Sequence, residues 1–225
     1  MPRSEFKVWT IVVGGGRGQR FGRLKQYELL DDRRVIDHSR ATAEAFSDGV
    51  VVVVPADDAE REGGVAGGET RSDSVRAGLA AIPDDVDIIC VHDAARPLAS
   101  LDIYERVVDA VIDGADAAVP GIPVTDTIKI IDTAAGDVVD TPDRSTLVAV
   151  QTPQAFRADR LRAAHAAGGD ATDDAGLIER TGGRVVVVPG DVDNRKITEP
   201  DDLAWTRARF ATRHEMRSGR ERSDG

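Results

Sequence analysis

The stretch Val8-Trp9-Thr10-Ile11-Val12-Val13-Gly14-Gly15-Gly16-Arg17-Gly18-Gln19-Arg20-Phe21-Gly22, with Lys25-Gln26-Tyr27 soon after it, decides how the chain is read. The apolar run from Val8 to Val13 reads as a buried first strand. It stops at three consecutive glycines, which can put bare backbone N–H groups against an anion with no side chain in the way. Arg17, Arg20, Arg23 and Lys25 follow, with no acidic residue between Gly14 and Tyr27. Free amides and several cations after a first strand form a place to hold phosphates.

Neither of two common phosphate motifs fits. A P-loop requires a lysine followed by serine or threonine after its glycines, and none is present. The first glycines of a dinucleotide fingerprint are there. That motif, however, opens a helix at once and places an acidic ribose partner about 20 residues on. Here a cationic segment intervenes, and the next apolar run ends at Val54-Pro55 without an acid at its tip.

The local cations stand out because the 225-residue chain carries a formal net charge of −11. General nucleic-acid binding rests on phosphate neutralisation over a broad surface, so this balance argues against it and for a local anion site. Length and a 41% hydrophobic content suit one substantial α/β domain or two small ones. No apolar run is long enough to span a membrane, and Met1 to Glu5 lacks a signal-peptide core. The single cysteine, Cys90, sits in an apolar run and excludes a disulfide framework. A cytoplasmic protein bound to no nucleic acid and no membrane is the expectation.

Further along, Val35 to Phe46 has the spacing of an amphipathic helix. Val50 to Val54 is five valines in a row, a strand buried on both faces. The glycine-rich segment Gly63 to Gly68 leads into Glu69-Thr70-Arg71-Ser72-Asp73-Ser74, where Ser72 or Asp73 is expected to cap a helix from Val75 to Ala81. Asp87 to Val91 reads as a strand tipped by His92-Asp93-Ala94-Ala95-Arg96-Pro97. In open α/β sheets that edge is where ligands bind. Asp93 is a candidate metal or hydroxyl ligand, Arg96 a candidate anion clamp or salt-bridge partner, and His92 a structural histidine.

Helix Leu101 to Ile112 and a short strand Ala115 to Val119 follow. The pattern then changes. Pro123 to Ile131, Val138 to Thr141 and Leu147 to Gln151 read as an antiparallel excursion with few large apolar residues of its own. A second copy of the chain is the economical partner for it. Helices at Ala158 to Ala167 and from about Asp170 to Thr181, then a strand Arg184 to Val188, come next. Asp193-Asn194-Arg195-Lys196 leads to a last helix, from Glu199 to about Ala211, and Thr212 onward reads as a frayed polar tail. Alternating strands and helices give a single doubly wound, mainly parallel α/β sheet with an antiparallel β-arm.

Seven blocks occur in order: the glycine segment Gly14 to Gly22; Lys25-Gln26-Tyr27; Gly67-Gly68-x-x-Arg71-x-x-Ser74-Val75; His92 to Pro97; Asp126-Thr127-Ile128-Lys129; Thr152-Pro153-Gln154; and Asn194-x-Lys196-Ile197-Thr198. Together they resemble the 2-C-methyl-D-erythritol 4-phosphate cytidylyltransferase family of the non-mevalonate isoprenoid pathway. The resemblance implies a Rossmann-like nucleotidyltransferase domain over residues 7–211, with its arm at about 124–151 and the tail at 212–225. It implies transfer of a cytidylyl group from CTP, with Mg²⁺, to methylerythritol phosphate. A relative acting on ribitol 5-phosphate and an inactive nucleotide-binding homologue are the alternatives.

Matched position by position, the resemblance implies Arg20, Lys25 and Lys196 as catalytic cations. Gly14, Gly15, Gly16, Gly68, Ser74, Asp93 and Ala94 would bind CTP. Thr127, Arg144 and Arg96 would bind the acceptor, with Asp93 or Asp193 near the metal. Thr127 and Arg144 would reach the partner subunit's substrate, which makes each site shared across a homodimer. Leu24 stands where the family usually has proline, and the segment from Arg20 to Lys25 is shorter.

Overall fold

The computed structural model describes residues 3–16, 21–169 and 171–223, with side chains as far as Arg213. In chain order the strands are β1 (Val8–Val13), β2 (Leu29–Leu30), β3 (Arg33–Arg34), β4 (Gly49–Val54), β5 (Val65–Ala66), β6 (Ile88–Asp93), β7 (Ala117–Pro123), β8 (Ile130–Ile131), β9 (Val138–Asp140), β10 (Val148–Val150), β11 (Gln154–Arg157) and β12 (Val185–Pro189). The helices are α1 (Val35–Phe46), α2 (Ala59–Glu62), α3 (Arg71–Ala80), α4 (Leu101–Ile112), α5 (Ala158–Ala166), α6 (Asp174–Arg180) and α7 (Pro200–Ser223).

Eight strands form the central sheet: β7-β11-β6-β1-β4-β5 lie in that order, β10 pairs with the far end of the β7 edge that β11 uses, and β12 pairs with the opposite edge of β7. The pairs β1–β4, β1–β6, β4–β5 and β7–β12 are parallel, whereas β11 runs antiparallel to both β6 and β7. The sheet is therefore mixed and mostly parallel. Helices cover both faces, so its valine-rich strands are apolar on both sides. Ile11, Val53, Val91 and Phe156 meet α3, α5 and α6 on one face. Val12, Val52 and Cys90 meet α1 and α4, the latter through Tyr104, on the other. A third cluster of Phe21, Leu30, Ile197 and Leu203 ties the end of the glycine loop to α7.

Several elements differ from the sequence reading. Strand β11 lies in the middle of the sheet, although Gln154–Arg157 is only four residues long and gives way at once to α5. Helix α3 starts at Arg71, because Thr70 takes the cap: its hydroxyl accepts from the Asp73 N–H at 3.0 Å while the Asp73 carboxylate accepts from the Thr70 N–H at 3.0 Å. In the arm, β8 and β9 form a two-stranded antiparallel ladder, and residues 124–129 are not strand. Helix α7 continues to Ser223, past the Ala211 at which apolar periodicity ends. Arg213 fixes that turn by donating to Leu98 O at 3.1 Å and to Asp193 at 2.9 Å.

Candidate active site

The carboxyl ends of β1, β4 and β6 open onto one edge, where an open α/β sheet places its ligands. A cavity of about 190 Å³ lies there, lined by Gly14 to Gly16, Lys25, Gln26, Gly68 to Arg71, Ser74, Asp93 to Ala95 and Lys196. It shares Gly15, Gly16, Lys25, Gly68 and Glu69 with a wider cleft of about 1060 Å³ that runs past Pro55, Ala56 and Asp57. Four segments far apart in sequence thus converge as expected. Of the predicted site residues, Lys25, Lys196, Gly14, Gly15, Gly16, Gly68, Ser74, Asp93 and Ala94 all line the cavity. Arg20 lies outside the described residues.

The glycines are there for space. A Cβ on Gly68 would sit 2.2 Å from Asp73 Cβ, and one on Gly15 would sit 3.0 Å from Ser74 Oγ. Two bare backbone segments therefore pass close to the first turn of α3. Thr70, Arg71 and Ser74 of that turn line the cavity, so the positive end of the helix lies beside it. Ser74 hydrogen-bonds back to Thr70 O at 3.1 Å, so it shapes this wall.

Asp93 ends β6 and is 7% exposed. Its Oδ2 accepts from Lys196 Nζ at 2.7 Å and its Oδ1 from Arg71 Nε at 3.4 Å. Burial alone would raise its pKa, but the charges of Lys196, Arg71 and Arg96 hold it far below the usual carboxylate range. Arg71 in turn donates to Asp174 at 2.7 Å, and the Asp174 carboxylate accepts from His165 Nε2 at 3.0 Å. Burial would lower the Arg71 pKa, but Asp93 and Asp174 outweigh it, so the guanidinium stays charged. Sequence reasoning placed Arg71 in a motif without a role. Its signal was the Gly-Gly-x-x-Arg spacing, which puts it on the first residue of α3. Asp174 and His165 carried no such signal.

Lys196 is delivered by a braced loop. Ile197 N–H bonds to Ala95 O at 2.8 Å, Asn194 donates to Thr152 O at 2.9 Å, and Gln151 donates to Asp191 O at 2.8 Å. Arg96 belongs to this brace: it donates to Asn194 O at 2.7 Å and lies outside the cavity lining. Of the two roles expected for it, anion clamp or salt-bridge partner, the second is what this arrangement shows: its Nε lies 4.0 Å from Asp93 Oδ2, while its terminal nitrogens donate to the carbonyls of Asn194 and Val150. Asp193 is also placed elsewhere. Its carboxylate accepts from Arg209 at 2.7 Å and from Arg213 at 2.9 Å, which closes α7 onto the loop. Thr127 and Arg144 are exposed on the arm and away from this chain's cavity, with Arg144 donating to Thr125 O at 2.8 Å.

His92 is fully buried, with Nδ1 3.2 Å from Thr152 Oγ1. Burial pushes its pKa down to about 4, so it is neutral and structural, as expected of a lone histidine. Among the described residues no group of three or more His, Cys, Asp or Glu side chains could hold a metal ion by itself. Among them, too, no helix is long and apolar enough to cross a membrane.

The groups facing the cavity stabilise charge rather than take protons, which is what nucleotidyl transfer demands of a protein. The fold and this edge define an α/β nucleotidyltransferase. Residues 8–212 match the family described as IspD: 2-C-methyl-D-erythritol 4-phosphate cytidylyltransferase, and the chain belongs to that family. It is 51% identical over 216 residues to the 2-C-methyl-D-erythritol 4-phosphate cytidylyltransferase of Nocardia farcinica, covering 89% of this chain and 92% of that one. It is 44% identical to the protein of the same description from Rhodococcus opacus, covering 92% and 97%. Among solved structures, the 4-diphosphocytidyl-2C-methyl-D-erythritol synthase of Anaerococcus prevotii superposes with a TM-score of 0.80 at 27% identity, over 92% of this chain and 99% of that one. The 2-C-methyl-D-erythritol 4-phosphate cytidylyltransferase of Thermus thermophilus does so with 0.77 at 31%, over 90% and 98%.

Proposed function

We propose that this protein transfers the cytidylyl group of CTP to 2-C-methyl-D-erythritol 4-phosphate, giving 4-diphosphocytidyl-2-C-methyl-D-erythritol and pyrophosphate. The observation that carries it is family membership over residues 8–212, together with the convergence of the glycine loop, Lys25, Asp93 and Lys196 on one cavity. The acceptor phosphate is already an anion at neutral pH. Its oxygen forms a bond to the α-phosphorus of CTP as the bond from that phosphorus to the bridging oxygen breaks, and pyrophosphate leaves. No proton has to be abstracted. Asp93, held far below neutral pH in its titration, is suited to remain a carboxylate throughout.

Lys25 and Lys196 supply positive charge where negative charge builds on the phosphates. Lys196 enters the reaction from its ion pair with Asp93, so binding a triphosphate redistributes a charge already in place. Mg²⁺ typically meets one or two carboxylates and completes its shell with substrate phosphates and water. Both carboxylates are paired with basic side chains, Asp93 with Lys196 and Arg71 and Asp193 with Arg209 and Arg213, but only Asp93 lies on the cavity wall, so Asp93 is the one that would meet the ion. When bound, the ion would neutralise charge on the triphosphate.

The arm supports a homodimer with shared sites. Ile128, Ile130, Ile131, Val138 and Val139 are 39% to 68% exposed, too much apolar surface for a solvated hairpin. In a dimer, Thr127 and Arg144 would complete the acceptor pocket of the second subunit. A cytoplasmic setting agrees with the free buried Cys90.

The test is pyrophosphate release from purified protein with CTP and Mg²⁺, comparing methylerythritol phosphate with ribitol 5-phosphate. Release with the first and not the second is expected. Release with ribitol 5-phosphate alone would move the acceptor assignment to that polyol, and silence with both would reject catalysis.

A further inference from the structure

We propose that Gln26 is a positioning residue of this site, locking the glycine loop and Lys25 into one rigid unit through its buried side-chain amide. The proposal rests on the nucleotidyl-transfer reading above and deepens it. Gln26 is 3% exposed and sits between Lys25 and Tyr27 in a single 3₁₀ turn. Its Nε2 donates to Gly14 O at 2.9 Å and to Gly16 O at 3.3 Å. Both partners are carbonyl oxygens, so chemistry fixes the amide orientation: only the NH₂ end can face them.

One side chain thus grips both ends of the Gly14–Gly16 segment. Gly14 is also held from the other side, its N–H bonded to Val53 O at 2.7 Å. In a planar trans peptide the carbonyl of one residue and the N–H of the next point in opposite directions. Turning the Gly14 carbonyl toward Gln26 therefore turns the Gly15 N–H away from it. Three successive glycines would otherwise sample many such orientations. The amide removes that freedom before a triphosphate arrives, and a preorganised donor costs no reorganisation during the reaction.

The same bonds fix Lys25. Its Cα is joined directly to the anchored residue, and Tyr27 provides a second anchor on the same side. The Tyr27 hydroxyl donates to Asp58 at 2.9 Å, and the Arg34 and Arg61 guanidiniums lie 5.4 and 5.2 Å from its ring centroid. On the other side of Lys25 stands Leu24, which lacks the fixed φ that a proline would give. Gln26 and Tyr27 are therefore two anchors of the lysine's backbone that a preceding proline does not supplement.

Two near-isosteric variants test this in the full-length protein with CTP, Mg²⁺ and methylerythritol phosphate. Gln26→Met keeps the length and removes the donors. Gln26→Glu puts carboxylate oxygens against two carbonyl oxygens, and burial raises its pKa, so protonation returns one donor as pH falls. The expected result for Gln26→Met is a drop in kcat of roughly 10- to 100-fold with a much smaller change in KM for CTP. Gln26→Glu should be as impaired near pH 8 and recover relative to wild type toward about pH 6, while Gln26→Met shows no such recovery. Wild-type kcat in both variants would overturn the proposal. So would a loss in Gln26→Glu that does not depend on pH, since that marks structural damage alone. If Gln26→Met fails to fold, the pH series of Gln26→Glu carries the test by itself. A silent wild type would instead reject the reaction, so the two failures are distinguishable.

Discussion

His92 and Asp93 are adjacent on one strand, yet their surroundings set opposite rules. Asp93 is buried among Lys196, Arg71 and Arg96, and stays ionised. His92 faces the apolar layer of α4, with its ring 5.7 Å from that of Tyr104, and burial depresses its pKa from about 6.5 to about 4. A depressed folded-state pKa means that, between those values, the unfolded chain binds the proton and the folded chain does not. Stability from this group is complete above about pH 6.5 and is lost as pH falls toward 4. A shift of that size is worth roughly 3 kcal/mol at its limit. Urea unfolding of His92→Asn across this window should therefore show a shallower fall in stability than wild type. Parallel curves for the two proteins would mean that His92 does not titrate on unfolding. The sequence marked both residues as a strand tip and Asp93 as the candidate ligand, but not what keeps Asp93 ionised, because Lys196 and Arg71 arrive from elsewhere in the chain.

Elements repeat this division between local and non-local signals. Helices α1 and α4 were legible to the residue, since their apolar spacing is set by the face they bury. The valine run of β4 was equally plain. Strand β11 was not, because four residues hold no periodicity and its central place comes from pairing with β6 and β7. The start of α3 was misplaced by a choice between neighbouring capping residues: Thr70, Ser72 and Asp73 all qualify by type, and only the loop's path over Gly67 and Gly68 selects Thr70. The arm was read as more strand than it contains, since alternation in residues 124–129 has no partner strand among the described residues. Its exposed isoleucines and valines give the arm its own prediction. If Arg144 serves the partner's site, Lys25→Met and Arg144→Ala proteins, each weak alone, should regain about a quarter of wild-type activity when mixed and allowed to exchange subunits. Activity that stays at the simple average of the two would place Arg144 outside the shared site.

At the scale of the molecule, the fold class followed from strands alternating with helices, and the site followed from which loops lie at the carboxyl edge. Four of the expected segments meet there. The side chains behind them, Arg71 with Asp174 and His165, and Arg96 with Asn194, were not legible, because their roles exist only once the sheet has brought β6, α3, α6 and the Lys196 loop together. The whole arrangement sets two lysines and the glycine loop around one cavity, which the proposed reaction would fill with a triphosphate. The most direct measurement is steady-state pyrophosphate release at saturating CTP, Mg²⁺ and methylerythritol phosphate for wild type, Lys25→Met and Lys196→Met. Removing one preorganised charge from such a site should lower kcat by ~10²-fold or more in each variant, with cooperative unfolding retained. Turnover by both variants at the wild-type rate would contradict the assignment of this cavity as the place where phosphate charge is stabilised.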